Sequence, residues 1–327
     1  MTEPGQAAGS PTSKVLPMHA LAVLVERPEH LVLSQLELVA PADGDVVVAT
    51  AWSGISTGTE RLLWSGRMPP FPGMGYPLVP GYESVGRVVE AGQSSGRSVG
   101  ELVFVPGSRG FKDARGLFGG ASSHLVVAGA KAVPIPETLG PSGVLLALAA
   151  TAQHALAGGT LPELIIGHGV LGRLLARLVL AHGGQPVVWE SNPLRATPAQ
   201  GYTVVSAEAD ARKDYRVICD VSGDASLLDT LIARLAPQGE IVLAGFYDQP
   251  IAFSFPPAFM REARLRVAAE WRQTDLDIVM TLIADGRLSL DGLITHSAPA
   301  NDAPAAYRTA FSDPSCLKMI LDWSACS

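Results

Sequence analysis

One run constrains the fold of this chain more than any other. Leu164-Ile165-Ile166 is a short apolar stretch that ends in Gly167-His168-Gly169-Val170-Leu171-Gly172. A helical pattern follows at once, with Leu171, Leu174, Leu175, Leu178 and Val179 on one face, and Gly183-Gly184 stops it. A second apolar run, Val187-Val188-Trp189, ends in Glu190, about twenty residues past the glycines. Strand, glycines, helix, strand and acid in this register match the G-x-G-x-x-G dinucleotide fingerprint. Each part has a physical task. Gly167 makes the tight turn, Gly169 lets backbone approach a pyrophosphate, and Gly172 lets the helix pack on the strand. His168, Val170 and Leu171 complete the turn, where free N–H groups and the positive end of the helix dipole face the phosphates. Glu190 stands where an acid would hydrogen-bond an adenosine ribose, and its charge favours NAD over a 2′-phosphorylated cofactor. Arg195 lies five residues further on and could offset that repulsion.

At 327 residues the chain is long for one core, and two domains are expected. Apolar residues make up 47% and charged residues 17%, as in an ordinary globular protein. No apolar run reaches the length of a membrane span; Val144–Leu156 is too short and carries polar groups. Residues 1–14, rich in Gly, Ser, Pro and Ala, read as a disordered leader and not as a secretion signal. A net charge of −7 argues against a nucleic-acid partner. Cys219, Cys316 and Cys326 lie far apart, which suits a reducing cytoplasm and offers neither a disulfide frame nor a cysteine metal cluster.

In chain order, strands are expected at His19–Val25, over the leucines 31–38 and at Asp45–Ala51, with Pro and Gly punctuating as far as Lys131. This is a β-rich domain of short strands. Pro134 and Pro136 mark its exit, and Pro141-Ser142 opens a helical stretch. From Leu161 strands and helices alternate, with strands at Leu164–Gly167, Val187–Glu190, Thr203–Val205, Arg216–Asp220 and Glu240–Ala244. That predicts an α/β fold: a doubly wound parallel sheet covered on both faces, beside the β-rich domain. A helix over Asp275–Ala284 ends at Gly286, and a strand-like close runs from Cys316 to Trp323.

Five segments in this order carry a family resemblance: P-G-Y-E-S-V-G-R-V (Pro80–Val88), T-A-Q-H-A-L (Thr151–Leu156), G-H-G-V-L-G, D-G-R-L-S-L-D-G-L-I-T-H (Asp285–His296) and K-M-I-L-D-W (Lys318–Trp323). Over nearly its whole length the chain resembles the medium-chain dehydrogenase/reductase superfamily. The resemblance implies a GroES-like catalytic domain over 15–140 and 272–327, a Rossmann cofactor domain over 141–271, and substrate in the cleft between them. Dimers are common in that superfamily, so a homodimer is expected. The block Trp52–Val88 (WSGISTGTERLLWSGRMPPFPGMGYPLVPGYESVGRV) is similar to the 3-hydroxyethyl bacteriochlorophyllide a dehydrogenases of bacteriochlorophyll synthesis. This implies NAD-dependent oxidation of a hydroxyethyl side chain on a tetrapyrrole to an acetyl group.

Zinc-dependent relatives hold their metal with a Cys, the His of G-H-E, and a later Cys or Glu. By alignment of these motifs, Ser56, Tyr82 and Ala147 stand at the three positions, and the stretch Pro106–Gly120 lacks the cysteines of a structural zinc lobe. No metal is therefore expected. Without one, the alcohol proton needs another acceptor within hydrogen-bond reach. The candidates are Ser56, Thr57, Thr59, Tyr82 and Glu83. Tyr82 would need a cationic neighbour to act as a base, and otherwise fills vacated space; Glu83 more often supports the fold in this family. His154 reads as core or cleft lining, His168 as loop surface beside the cofactor, and His296 as structural.

A flat apolar macrocycle needs a wide apolar slot with few polar anchors. Trp64–Tyr76 and Phe246–Met260, with Phe253, Phe255 and Phe259, could line one, or those phenylalanines could pack in the core. Arg67, Arg109, Lys112 and Arg115 could pair with a propionate or be plain surface charge. Two other readings compete: a zinc-free quinone or enone reductase, for which NADPH is the usual donor, and a pigment-binding carrier that has lost catalysis. Loose docking on a membrane stays open, stable insertion does not.

Overall fold

The computed structural model describes residues 18–70 and 72–326. The expected leader at 1–14 lies outside them. The first part of the chain is β-rich: β1 (His19–Arg27), β2 (His30–Glu37), β3 (Asp45–Ile55), α1 (Thr59–Ser65), β4 (Ser84–Ala91), β5 (Leu102–Val105), β6 (His124–Ala128) and β7 (Val133–Pro134). Next come α2 (Leu146–Ala155), β8 (Leu164–Ile166), α3 (Val170–Ala181), β9 (Val187–Trp189), β10 (Thr203–Val205) and β11 (Tyr215–Asp220). Then follow α4 (Leu228–Ile232), β12 (Leu235–Leu243), α5 (Phe255–Met260), β13 (Arg264–Val267), α6 (Gln273–Ala284), β14 (His296–Pro299), α7 (Ala303–Ser312) and β15 (Met319–Asp322).

β3 is the hub of the β-rich part. It pairs antiparallel with β4, β6 and β15 in a sheet of order β14-β15-β3-β4-β5-β7. Val46-Val47-Val48 does not alternate with polar residues, and all three are buried. Val46 and Val48 face one core with Val88, Val103 and Leu125, while Val47 faces another with Leu24, Leu38 and Phe111. A strand packed on both faces reads as a continuous apolar run.

The second sheet has six parallel strands in the order β10-β9-β8-β11-β12-β13. The chain runs outward through β8, β9 and β10, then returns to β11 and runs the other way. The direction reverses between β8 and β11, and a crevice opens there at the carboxyl ends of the strands, the place where ligands bind such sheets. Both faces are covered, as the strand–helix alternation implied. Ile165, Val188 and Val242 pack with α2, α3 and α6, while Leu164, Ile166 and Ile218 pack with α4 and α5. Burying each large side chain such as Leu174, Leu175 or Leu178 contributes about 1.5–3 kcal/mol.

One expectation is corrected. The helical stretch at Pro141-Ser142 begins as a 3-10 segment over Glu137–Leu145, and α-helix starts only at Leu146. Past residue 272, α6 packs against α2. Its Leu276, Val279 and Leu282 are buried in the same cluster as α2 and α3, and Asp275 Oδ2 bonds His154 Nδ1 of α2 at 2.9 Å.

Candidate active site

The glycine turn sits at the mouth of the crevice. Gly167 follows β8 with a φ of +100°, a conformation open to glycine at little cost. A Cβ at position 172 would stand 1.9 Å from the Gly167 carbonyl oxygen, so only glycine lets the first turn of α3 lie against the strand end. At Gly169, the N-cap of α3, a Cβ would meet nothing within 4 Å. The space above that backbone is open, and the first N–H groups of α3, from Val170 and Leu171 onward, have no intrahelical partner. The residues present fit a dinucleotide pyrophosphate.

Glu190 lies beside the turn. Its Oε2 accepts from the His168 backbone N–H at 3.0 Å and its Oε1 from the Asn192 N–H at 2.7 Å. Each carboxylate oxygen has capacity for a further donor, such as a ribose hydroxyl. Arg195 is half-buried and its Nε donates to the Pro314 carbonyl at 3.2 Å, which ties this segment to the C-terminal part of the chain.

His168 is not loop surface. It is fully buried. The Arg195 carbonyl can only accept, so Nδ1 of His168 carries the proton and donates to it at 2.6 Å. Nε2 then accepts from the Tyr202 hydroxyl at 2.8 Å. Burial holds its pKa below the usual histidine value, with Arg173 acting in the same direction. Arg173, buried on α3, donates to the carbonyls of His168, Arg195, Thr197 and Pro198. The pair locks the 190–202 segment onto the glycine turn. The leucines that mark the apolar stripe of α3 gave no sign that Arg173 and Arg177 would also be buried.

Across the fold, Ser56 Oγ and the Tyr82 hydroxyl share a hydrogen bond of 2.5 Å, and Thr59 Oγ1 is 3.5 Å from the same phenol. Thr57, half-exposed, follows Ser56 in the turn. Tyr82 packs edge-on against Phe118 at 5.1 Å. Burial pushes the Tyr82 phenol well above its ordinary pKa, and the Glu83 carboxylate pushes the same way. Among the described residues no cation contacts it to favour the phenolate, so burial keeps the phenol in its protonated form.

Glu83 turns away from this pair. It is fully buried, and its Oε2 accepts from Lys318 Nζ at 2.6 Å. Lys318 also donates to the Ile55 carbonyl at 3.2 Å. Glu83 Oε1 is buried with no partner among the described residues. Burial raises the Glu83 pKa, and Lys318 opposes that. Glu60, at the start of α1, accepts from the Ser56 N–H at 3.0 Å through Oε1 and from the Tyr307 hydroxyl at 2.6 Å through Oε2. Burial pushes Glu60 up to about 7, against those two hydrogen bonds.

Sequence reasoning missed Glu60, Tyr307, Lys318 and Arg173. Lys318 stands at the head of an apolar strand, and its partner is 235 positions away, so no local pattern announces the pair.

The remaining candidates fall elsewhere. Ala147 is buried in the core around α2. Two neutral hydroxyls that bond one another and an alanine do not make a zinc site. His296, half-exposed, bonds Thr295 at 2.9 Å. Arg67 and Lys112 are paired with Asp248 and Glu37 at 3.3 and 2.5 Å, while Arg109 and Arg115 are exposed. Phe253, Phe255 and Phe259 are not in the core: they are 41%, 66% and 64% exposed, on and before α5 at the edge of the parallel sheet.

Comparisons with known proteins agree with this architecture. Residues 42–137 match the alcohol dehydrogenase GroES-like domain. The chain is 57% identical over 310 residues to the 2-desacetyl-2-hydroxyethyl bacteriochlorophyllide A dehydrogenase of Rhodobacter capsulatus, covering 94% of this chain and 99% of that protein. It is 58% identical to the enzyme of the same name from Cereibacter sphaeroides, with the same coverage. Among solved structures, an Escherichia coli alcohol dehydrogenase complexed with NADH superposes with a TM-score of 0.78 at 21% identity, covering 93% of this chain and 99% of that one.

Proposed function

The chain belongs to the family of 2-desacetyl-2-hydroxyethyl bacteriochlorophyllide A dehydrogenases, with a GroES-like domain and a Rossmann sheet, and from that premise we propose that it oxidises the 3-(1-hydroxyethyl) group of a bacteriochlorophyllide precursor to 3-acetyl, using NAD and no zinc. The observation that carries the reading is the glycine turn, open above Gly169 and flanked by the Glu190 carboxylate. When bound, the nicotinamide supplies the acceptor for the hydride that leaves the alcohol carbon. Gly167, Gly169 and Gly172 shape the pyrophosphate seat, and the N–H groups of Val170 and Leu171 face it. Glu190 takes the adenosine ribose and disfavours a 2′-phosphate, while Arg195, tied to Pro314, stays beside it.

The alcohol proton leaves as the ketone forms. Ser56 Oγ and the Tyr82 hydroxyl relay that proton to solvent water at the partly exposed rim, each accepting one proton as it donates another. Thr57 lies at the rim of that pair, and Glu83 supports it from behind through Lys318. At Ser56, Tyr82 and Ala147 the donor set does not fit zinc, and no step is drawn through a metal.

The exposed Phe255, Phe259 and Met260 border a groove of about 450 Å³ next to β13. Among the described residues β13 pairs with β12 alone, which leaves its outer N–H and C=O groups open, and Leu265 and Val267 are exposed on it. An open edge beside an apolar patch suits a second copy of this chain, and a homodimer forms through it. The chain works in the cytoplasm: its cysteines are free, and none of the described helices is long and apolar enough to cross a membrane.

One assay tests the reading. The protein is mixed with NAD and the hydroxyethyl pigment. An acetyl product with a red-shifted absorption band and rising NADH is expected. Binding without turnover would point to a carrier, and NADPH oxidation by quinones alone would point to a reductase.

A further inference from the structure

We propose that Glu60 is a positioning residue of the oxidising site: braced by Tyr307, it fixes the Ser56 turn and with it the Ser56–Tyr82 hydroxyl pair, and its ionisation sets the pH dependence of turnover. The inference rests on the dehydrogenase reading above and adds a residue that never touches substrate.

The geometry is reciprocal. The Ser56 N–H donates to Glu60 Oε1, and the Glu60 N–H donates to the Ser56 carbonyl at 3.0 Å. These two bonds close the turn Ser56–Glu60 from both ends. Tyr307 on α7 then holds the second carboxylate oxygen at 2.6 Å, so a helix far along the chain braces the turn. Ser56, placed in this way, presents Oγ to Tyr82 at 2.5 Å.

Three other titratable groups face this cluster. Tyr82 and Glu83 lie just before β4, and Lys318 lies just before β15. Lys318 is committed to Glu83 and to the Ile55 carbonyl, so its charge favours the ionised Glu60 only from a distance, and no cation among the described residues bonds that carboxyl. Its two hydrogen-bond donors favour the ionised form, while burial and the Glu83 charge favour the neutral one. The carboxylate accepts from Ser56 and Tyr307 together most strongly, with both oxygens charged. The Ser56 N–H cannot accept, so a protonated Glu60 places its proton on Oε2 toward Tyr307, whose hydroxyl must turn round to accept it, and the brace loses its charge-assisted bonds. Turnover therefore rises as Glu60 ionises, near the value of about 7 at which its carboxyl titrates.

The experiment compares kcat against pH for the wild type, Glu60→Gln and Tyr307→Phe, with NAD and the hydroxyethyl pigment. The wild type is expected to inflect near neutral pH. Glu60→Gln is expected to lose that inflection and about tenfold in kcat at alkaline pH, with the KM for NAD unchanged within about twofold. Tyr307→Phe is expected to move the inflection to higher pH, because the bond it removes favours the ionised carboxyl. Infrared difference spectra should show a buried carboxyl titrating near neutral pH in the wild type and missing from Glu60→Gln. An unchanged pH profile in Glu60→Gln, or the same infrared band persisting in it, overturns the proposal. If Glu60→Gln does not fold, a Tyr307→Phe inflection that stays in place overturns it instead. A wild type that binds NAD without oxidising the pigment refutes the dehydrogenase reading; the infrared titration still decides the brace.

Discussion

Lys318 Nζ lies 2.6 Å from Glu83 Oε2, and both side chains are all but sealed from solvent. This ion pair joins the residue before β15 to the residue after Tyr82. The C-terminal strand is thus bound to the segment that carries Tyr82 by charge as well as to β3 by its ladder.

Lys318→Met leaves Glu83 buried without a cation. We expect a loss of about 3–5 kcal/mol in unfolding free energy by denaturant titration, because an uncompensated buried charge is costly. The loss should be greater at alkaline than at acid pH, since Glu83 can then escape only by staying protonated. Lys318→Met combined with Glu83→Leu should recover most of it. Equal losses for the single and double variants would show that the pair is not the cause.

The two inner glycines separate folding from binding. Gly172→Ala drives a Cβ to 1.9 Å from the Gly167 carbonyl, so melting temperature and NAD affinity should both fall. Gly169→Ala meets no protein atom within 4 Å, so it should melt like the wild type and still lose at least about tenfold in NAD affinity, or ~1.4 kcal/mol. Calorimetric binding and thermal melts on both variants check this.

Replacing Glu190 by Ala removes the carboxylate proposed to take the ribose. The ratio of kcat/KM for NAD to that for NADP should fall by at least about tenfold, ~1.4 kcal/mol. Some stability should go with it, about 1 kcal/mol, because the His168 and Asn192 N–H groups lose their acceptor. An unchanged cofactor ratio would remove Glu190 from the site.

Glu60 also links stability to pH. Its folded pKa of about 7 lies above the unfolded value of 4.5, so between those values the folded chain keeps a proton that the unfolded chain releases. Unfolding free energy then falls as pH rises across that window, by about 3 kcal/mol in the limit. In Glu60→Gln this component should vanish. Denaturant titrations at several pH values across the window read the difference.

Much of the Rossmann part was legible. The strand at Leu164, the glycines, the apolar stripe of α3 and the acid after β9 are all set within thirty residues or so, and their signals are local periodicity and spacing. The edge strand β13 was missed because it is only four residues long, and its alternating Arg264-Leu265-Arg266-Val267 has no buried face to mark it. Phe253 and Phe255 read as core more readily than as slot, and the structure exposes them with Phe259 because α5 is short and lies at the open edge of the sheet.

The site was legible in its residue types but not in its wiring. Ser56 and Tyr82 stood out because alignment put hydroxyls where relatives carry metal ligands. Nothing in the run TGTER marks Glu60 as buried, and nothing near Tyr307 says what its hydroxyl meets. His168 looked like loop, since a polar residue between glycines normally faces water, yet Arg195 and Tyr202 fold back over it.

The sequence by itself determined the two-part α/β plan and the place of the cofactor turn, because steric needs of backbone and short-range apolar spacing are written locally. Only the tertiary structure decided which carboxyl braces Ser56, which faces Lys318, and that His168 is a buried latch. Those outcomes depend on groups brought together out of water by the fold, from Tyr202 34 positions past His168 to Lys318 and Tyr307 more than 200 past Glu83 and Glu60, where charge and hydrogen bonding are strongest and local pattern is silent.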